Sequence, residues 1–329
     1  MTSNDRRLPL TRRGLLGAST AVATAAIAGG AARPANAAPT GSRAAARRWT
    51  GAAGSSGVRL RWLGNNAWEI TFGTTTILID PWLTRFKTGT YTPEGIRDDT
   101  PLTVDPAKID PHVSRANLIL VCHGHYDHMS DVPYIAARTG ATVLGTESHH
   151  NMLRALGTPP SQFCTVRGGE YLQYDGYTVE VFQSLHSMTG PSKQVPYPGT
   201  RPGTLPPRPQ TVADLVEGET LAYQITVGER FRILVLSTAN FVERELAGLR
   251  PDVAIVAAGG GTVHDYVGRL MRTLDYPTWV LPSHWDDFDY PLDQPAIDWG
   301  GLQPLRDAVK TASPNTKFVK LDHLQTFTP

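Results

Sequence analysis

This sequence predicts an α/β fold that carries its functional site at the carboxyl ends of parallel strands. Three observations support that reading. Short apolar or alternating runs recur from Val58 onward, with stretches of helical spacing between them. The run Leu118-Ile119-Leu120-Val121-Cys122 is unbroken in its apolarity, as in a parallel strand covered on both faces. It opens directly into His123-Gly124-His125-Tyr126-Asp127-His128, and loops at such strand ends are where α/β proteins build their sites.

The N-terminus reads as an export signal. Thr11-Arg12-Arg13-Gly14-Leu15-Leu16 is a twin-arginine pattern, and an Ala-rich apolar stretch follows to about Ala32. Ala35-Asn36-Ala37 then offers small residues for cleavage, so residues 1–37 are expected to be removed and Ala38 to begin the mature chain. The apolar stretch is too short and too rich in Ala and Gly for a stable membrane span. Residues 38–57, rich in Ala, Gly, Ser and Arg without periodicity, are expected to be a disordered linker. Residues 58–329 are expected to form the folded domain.

Within that domain Arg59–Leu63 and Trp68–Phe72 alternate, and Thr75–Ile79 ends in Asp80-Pro81; these read as successive strands. Further strands are expected at Thr142–Leu144, Tyr177–Phe182, Leu221–Val227, Phe231–Leu236, Val253–Ala257 and Trp279–Leu281. Helices are expected at Val132–Ala137, His149–Leu156 and His264–Leu274. Residues 191–209 are so rich in proline that they can form neither a helix nor a central strand, and they read as a long loop. No internal repeat shows in the residue pattern.

Composition excludes some classes. Residues 1–37 hold five arginines and one aspartate, which leaves 26 basic against 29 acidic residues in the remainder. A mature chain slightly on the acidic side has no electrostatic footprint for nucleic acid. Two cysteines, Cys122 and Cys164, make no disulfide framework, and Cys122 sits in an expected buried strand as a small core residue.

The chemistry lies in the histidines. Three imidazoles and a carboxylate within six residues form a metal-ligand cluster, because neutral imidazole is the commonest protein ligand for zinc-type metals. His186 follows the strand Val179–Phe182, and His284 follows Val280-Leu281-Pro282-Ser283. Together with Asp80, the order of these groups resembles the metallo-β-lactamase-fold hydrolases over nearly all of residues 58–329. Trp62-Leu63-Gly64, Ile79-Asp80-Pro81, His264 ahead of a helix, and Ser283-His284-Trp285 with Phe288 are similar to one branch of that superfamily. That branch holds the L-ascorbate-6-phosphate lactonase-like proteins and the N-acyl-phosphatidylethanolamine-hydrolysing phospholipase D.

The resemblance implies a four-layer αβ/βα sandwich of two mixed β-sheets. It implies a first metal site of His123, His125 and His186, whose open position suits catalytic zinc. It implies a second site of Asp127, His128 and His284, with Asp80 orienting a ligand histidine through a hydrogen bond. His264 and Asp265 are expected to line the pocket, His264 and Asp127 being the catalytic candidates beside the metal. The activity implied is hydrolysis of an ester-type bond, in a phosphodiester or a lactone of small-molecule or lipid-like kind, by metal-activated water.

The sequence departs from the family in one place. A bridging Asp normally follows the strand that here reads Ile233-Leu234-Val235-Leu236, and Ala239 stands at that position. Asn240 offers only a neutral amide oxygen. Two readings follow: a mononuclear hydrolase with Asp127 as base, or a dinuclear one in which Asp265, Asp286 or Asp287 substitutes. One zinc is expected to bind tightly, a second conditionally, with manganese or iron as alternative metals. A metal-bearing binding protein that lost catalysis with its bridging Asp is the competing class. His149-His150 reads as solvated rather than ligating, His112 and His323 carry no signal, and Trp68, Trp82, Trp285 and Tyr290 read as core more than pocket wall. The chain is expected to be secreted through the twin-arginine route, with no transmembrane segment after cleavage.

Overall fold

A computed structural model describes residues 57–189 and 192–329, which lie within the compact unit Arg47–Pro329. The expected signal peptide, and the expected linker up to residue 56, lie outside the described residues. Among the described residues, fourteen strands form two seven-stranded mixed sheets. The first holds β1 (Arg59–Trp62), β2 (Trp68–Phe72), β3 (Thr75–Ile79), β4 (Leu118–Leu120), β5 (Thr142–Gly145) and β6 (Phe163–Thr165) in that order. The second holds β7 (Tyr171–Tyr174), β8 (Tyr177–Gln183), β9 (Leu221–Val227), β10 (Phe231–Leu236), β11 (Val253–Ala257), β12 (Trp279–Ser283) and β13 (Lys317–Phe318). The last strand, β14 (Thr326–Phe327), returns to pair antiparallel with β1.

The two sheets repeat one pairing order. From β14 through β1, β2 and β3 the neighbours are antiparallel, and β3 through β6 are parallel. From β7 through β8, β9 and β10 they are antiparallel, and β10 through β13 are parallel. This is a structural repeat that the residue pattern does not show. It places the end of β3 in correspondence with the end of β10, and the end of β4 with that of β11.

The helices are α1 (Pro106–Ile109), α2 (Tyr126–Met129), α3 (Val132–Thr139), α4 (Glu147–Leu156), α5 (Glu243–Leu246), α6 (Tyr266–Thr273) and α7 (Leu302–Ala312). One face of the first sheet buries Leu78, Ile119 and Val143 against Ile109, Val132, Ile135 and Leu153 of α1, α3 and α4. Its other face joins the second sheet in a common core with Leu60, Ile70, Ile77, Val179, Ile225 and Ile233. The far face of the second sheet packs on Leu270, Met271, Leu305 and Val309 of α6 and α7. Alternating burial on strands between two apolar layers produces this order of helix, sheet, sheet, helix. It is the α/β sandwich that the resemblance implied. Among the described residues, no helix is long and apolar enough to cross a membrane.

Several elements differ from the sequence reading. His149-His150 is not solvated: both side chains are buried. His149 completes the capping box of α4, its Nδ1 accepting from Thr146 N and its backbone N–H donating to Thr146 Oγ1. His150 stacks on Phe163 with ring centroids 4.2 Å apart. Trp68, Trp82 and Trp285 are fully buried, whereas Tyr290 is exposed.

Candidate metal centre

The apolar strand β4 ends under the first sheet's helical layer, and the chain turns through His123-Gly124-His125 into α2. Glycine is required at the middle position: a Cβ on Gly124 would lie 2.3 Å from the Val216 carbonyl oxygen and 2.6 Å from Met152 Cε. Gly124 N instead donates to Glu217 O at 2.7 Å, which pins the two histidines on either side. Asp127 and His128 follow within the first turn of α2.

Two sets of three potential ligand atoms gather here, each set within 4.8 Å: His123, His125 and His186, and then Asp127, His128 and His284. The sets abut, with the His123 and His128 rings 3.7 Å apart between centroids. His186 arrives from the loop after β8, and His284 from the end of β12. Six residues spread over more than 160 positions of sequence thus converge on one place.

The nitrogen that each imidazole turns away from the cluster is occupied in four of the five cases. His123 Nδ1 lies 3.3 Å from Ser237 Oγ. His125 Nε2 donates to Pro196 O at 2.9 Å, and His186 Nδ1 donates to Ser187 O at 2.7 Å. His128 Nδ1 donates to Asp80 Oδ2 at 2.8 Å. Such bonds fix the ring orientation, and in a neutral imidazole they leave the other nitrogen as a lone-pair donor. Asp80 is itself held by Cys122 N at 2.7 Å and Asn66 Nδ2 at 2.8 Å. Asp80 after β3 and Ser237 after β10 are equivalent in the repeat, and each supports a histidine of the run after β4.

The electrostatics differ between the sets. Burial, and then the neighbouring imidazoles, hold His123 well below the usual histidine range. Burial followed by His186 lowers His125 to about 3, and burial lowers His186 to about 4. These three imidazoles are neutral at pH 7, the form that binds metal. Burial also opposes a charge on His128, yet Asp127 and Asp80 outweigh it and raise His128 to about 10. The second set therefore attracts positive charge.

Among the described residues no carboxylate fills the gap at Ala239, which is buried and lines the cavity beside the two sets. Asn240 Oδ1 accepts from Phe241 N, so the amide is spent locally. The three acidic candidates do not substitute. Asp265 is exposed and paired with Arg272 at 2.9 Å. Asp286 is fully buried in contact with Arg85 at 2.8 Å and His323 at 2.9 Å. The Asp287 carboxylate accepts from Asp289 N. None of them lines the cavity. His264 is also exposed and outside the cavity wall, so the structure does not bring it to the site.

One residue at the centre went unread in the sequence. Asn65 Nδ2 donates to Asp127 O at 2.8 Å and to Asp127 Oδ2 at 3.2 Å. Its carbonyl accepts from His284 N at 2.9 Å and Ser283 Oγ at 3.0 Å, and its own N–H donates to Asp286 Oδ1 at 2.9 Å. Asn65, Asp80 and His284 all have positive φ, at 48°, 40° and 56°. Left-handed backbone at three non-glycine residues costs free energy, and such strain concentrates at functional sites. The only available signal was the Gly64-Asn65-Asn66 turn, since asparagine tolerates that conformation.

The donor set fits a metal. His128 Nε2 is buried and without a hydrogen-bond partner. It lies 3.2 Å from Asp127 Oδ2, with His284 Nε2 3.4 Å from the same oxygen. An orphaned buried nitrogen is costly unless something binds it.

Comparison with known proteins places this site in a family. Residues 59–284 match the model of the β-lactamase superfamily domain. A "UPF0173 metal-dependent hydrolase" of Myxococcus xanthus is 27% identical over 302 residues, covering 89% of this chain and 94% of that protein. A second protein of that description, from Roseobacter denitrificans, is 27% identical over 266 residues, covering 77% and 96%. The metallo-β-lactamase-fold protein YhfI of Bacillus subtilis superimposes with a TM-score of 0.52 at 12% identity, over 82% of this chain and 98% of its own. With two pseudo-equivalent sheets and a histidine-rich centre at their strand ends, the chain belongs to the β-lactamase superfamily, among the metal-dependent hydrolases of the metallo-β-lactamase fold.

Proposed function

We propose that this protein is an exported hydrolase that cleaves an ester-type bond, in a lactone or a phosphodiester, within the branch that its Trp62-Leu63-Gly64 and Ser283-His284-Trp285 segments resemble. The observation that supports it best is the pair of abutting donor sets, opening onto a cavity of about 410 Å3. His123, His125 and His186 would hold one zinc tightly, and Asp127, His128 and His284 a second. Zinc in such a place acts as a Lewis acid and makes water acidic enough to attack near neutral pH.

The chain's own residues do the rest. Ser237, Pro196, Ser187 and Asp80 hold the imidazoles in one tautomer. Asn65 fixes the Asp127 carboxylate, whose Oδ2 is shared between His128 and His284; that geometry favours a ligand role over that of a free base. Tyr197 and Pro196 bring the Pro-rich loop to the cavity rim, where the Pro196 carbonyl meets His125. This loop thereby excludes water from one side of the first set.

Metal analysis of the purified protein, with turnover measured on lactones, carboxylic esters and phosphodiesters, tests the reading. The expected result is bound zinc that the double change His123→Ala, His125→Ala removes, and hydrolysis that Asp127→Asn abolishes. Full metal loading without turnover of any ester would favour a metal-bearing binding protein, in keeping with the missing carboxylate at Ala239. Export is tested separately: the intact mass of secreted protein should begin at Ala38, and Arg12→Lys with Arg13→Lys should block its appearance outside the cytoplasm.

A further inference from the structure

Beyond the metal-ligand candidates, the cavity is walled mainly by aromatic and small apolar residues, with the hydroxyls of Thr90, Ser187, Thr189, Ser237 and Thr238 among them. Trp299 and Tyr91 stack with centroids 6.1 Å apart and planes at 12°, and Phe288 meets Tyr91 edge-on at 5.0 Å. This aromatic wall is tied to the metal ligands themselves: Phe288 lies 5.7 Å from the His284 ring, and Trp299 Nε1 donates to His284 O at 2.9 Å. Ala239, Ala258 and Gly260 line the same cavity. Gly260 is explained by packing, because a Cβ there would lie 2.8 Å from Tyr266 Cδ1 and 3.1 Å from Ala239 Cβ. It does not require an anion for its presence.

Charge is as informative as shape. Among the described residues lining the cavity there is no lysine or arginine, and Asp127 is the one carboxylate. Arg85 is fully buried and paired with Asp286, so its guanidinium cannot turn to a ligand. A phosphodiester's permanent charge would have to be met by the metal ions alone, because no described side chain of the cavity adds a cationic fork or ammonium. This cavity offers aromatic and methyl surface, which rewards burial of hydrocarbon. The alanine at position 239 extends that surface to the metal ligands, where a carboxylate would have broken it.

From these observations we infer that the substrate is an uncharged carboxylic ester or lactone whose alkyl or aryl body fills the cavity that Tyr91, Trp299, Phe288 and Ala239 line. The inference rests on the hydrolase reading above and selects among its substrates. Hydrolysis adds the water oxygen to the acyl carbon and breaks the acyl C–O bond. One water proton goes to the leaving alcohol oxygen and the other to solvent as the carboxylate forms.

Two measurements on the zinc-loaded protein test it. The first is kcat/KM along the series p-nitrophenyl acetate, butyrate and octanoate, with bis(p-nitrophenyl) phosphate for comparison. Each fully buried methylene is worth about fourfold, so burial of even two of octanoate's six additional methylenes should make it exceed acetate by about tenfold or more. Trp299→Ala and Phe288→Ala should flatten that dependence on chain length, whereas a merely structural loss would lower all three esters alike. The second is calorimetric binding of octanamide against octyl methyl phosphate, which needs no turnover. Octanamide should bind at least tenfold more tightly. Tighter binding of the phosphate, faster turnover of the phosphodiester, or no rise with chain length would overturn the inference while leaving a hydrolase. Octanamide binding without turnover of any ester would instead overturn the hydrolase reading and retain the apolar cavity as a binding site.

Discussion

Replacing Asn65 tests whether the second donor set is held in place by the turn between β1 and β2. Asn65→Gly removes the side-chain bonds to the Asp127 carbonyl and carboxylate, at 2.8 and 3.2 Å, and keeps the backbone bonds to His284, Ser283 and Asp286. Asn65 is fully buried and Asp127 nearly so. A buried bond to a neutral acceptor contributes about 0.5–1.5 kcal/mol and one to a charged acceptor about 1.5–3 kcal/mol, so the loss should be about 2–4 kcal/mol. Asn65→Ala loses the same bonds and keeps a Cβ at φ 48° without asparagine's tolerance of that conformation, a strain of about 1–2 kcal/mol relative to glycine. Glycine's extra freedom on unfolding, about 0.5–1 kcal/mol, offsets part of that difference. The glycine variant should therefore be slightly the more stable in urea. Zinc competition against a chromophoric chelator should show affinity at the second site falling by about 10–100-fold, as for other residues that orient ligands. Affinity at the first site should be unchanged. Equal losses at both sites, or none at either, would refute a positioning role for Asn65.

Other expectations follow from the same geometry. Ala239→Asp should raise zinc stoichiometry toward two, read by elemental analysis, because it restores an anion beside both donor sets; unchanged stoichiometry would mean the turn points the carboxylate elsewhere. Asp286 is pressed toward neutrality by burial, but Arg85 and His323 prevail and lower its pKa to about 2. Its ion pairs thus stabilise the fold above the unfolded value near 4, and that contribution is lost as pH falls toward 2. Asp286→Asn should cost about 3–5 kcal/mol at pH 7 by leaving Arg85 buried and unpaired. The gap between wild type and variant in urea should narrow as pH falls from 4 to 2.5; a gap independent of pH would show that packing, not charge, is at stake.

How much of this was legible in the sequence depended on whether a signal is local. Most strands from Arg59 to Ser283 could be read because alternation or unbroken apolarity is written into consecutive residues, whereas β6 and β7, of three and four residues and only partly buried, were missed. Helix α7 carried its own signal, Leu302, Leu305, Val309 and Ala312 at helical spacing, yet Pro304 in its first turn obscured it; proline is tolerated there and only there. The edge strands β13 and β14, two residues each, are too short for any period to show. The six histidine and aspartate residues of the centre were identifiable because each stands at a strand end or in the dense run after β4. The roles of Asn65, His323 and Asp286 were not, because they are defined by bonds across more than 30 and up to 221 positions. His264 illustrates the converse. Its place ahead of a helix was read correctly, but nothing local to it says which way that loop faces.

The difference in charge between the two donor sets has a measurable consequence for metal uptake. A histidine must lose its proton before it can coordinate, so metal binding releases whatever protons the ligands carry. His123, His125 and His186 are lowered by burial well under pH 7 and have none to give. His128 is raised to about 10 by Asp127 and Asp80 against the effect of its burial, so at pH 7 it holds a proton between those two carboxylates. The first zinc should therefore bind with little proton release and the second with about one proton displaced from His128. Calorimetric titration of the metal-free protein in buffers of different ionisation enthalpy separates the two steps: the heat of the first should be independent of buffer, and that of the second should scale with it. Asp80→Asn should weaken the second step and reduce its proton release together, since it removes one of the charges that hold that proton. Equal release at both steps would show that the two carboxylates do not set the charge of His128.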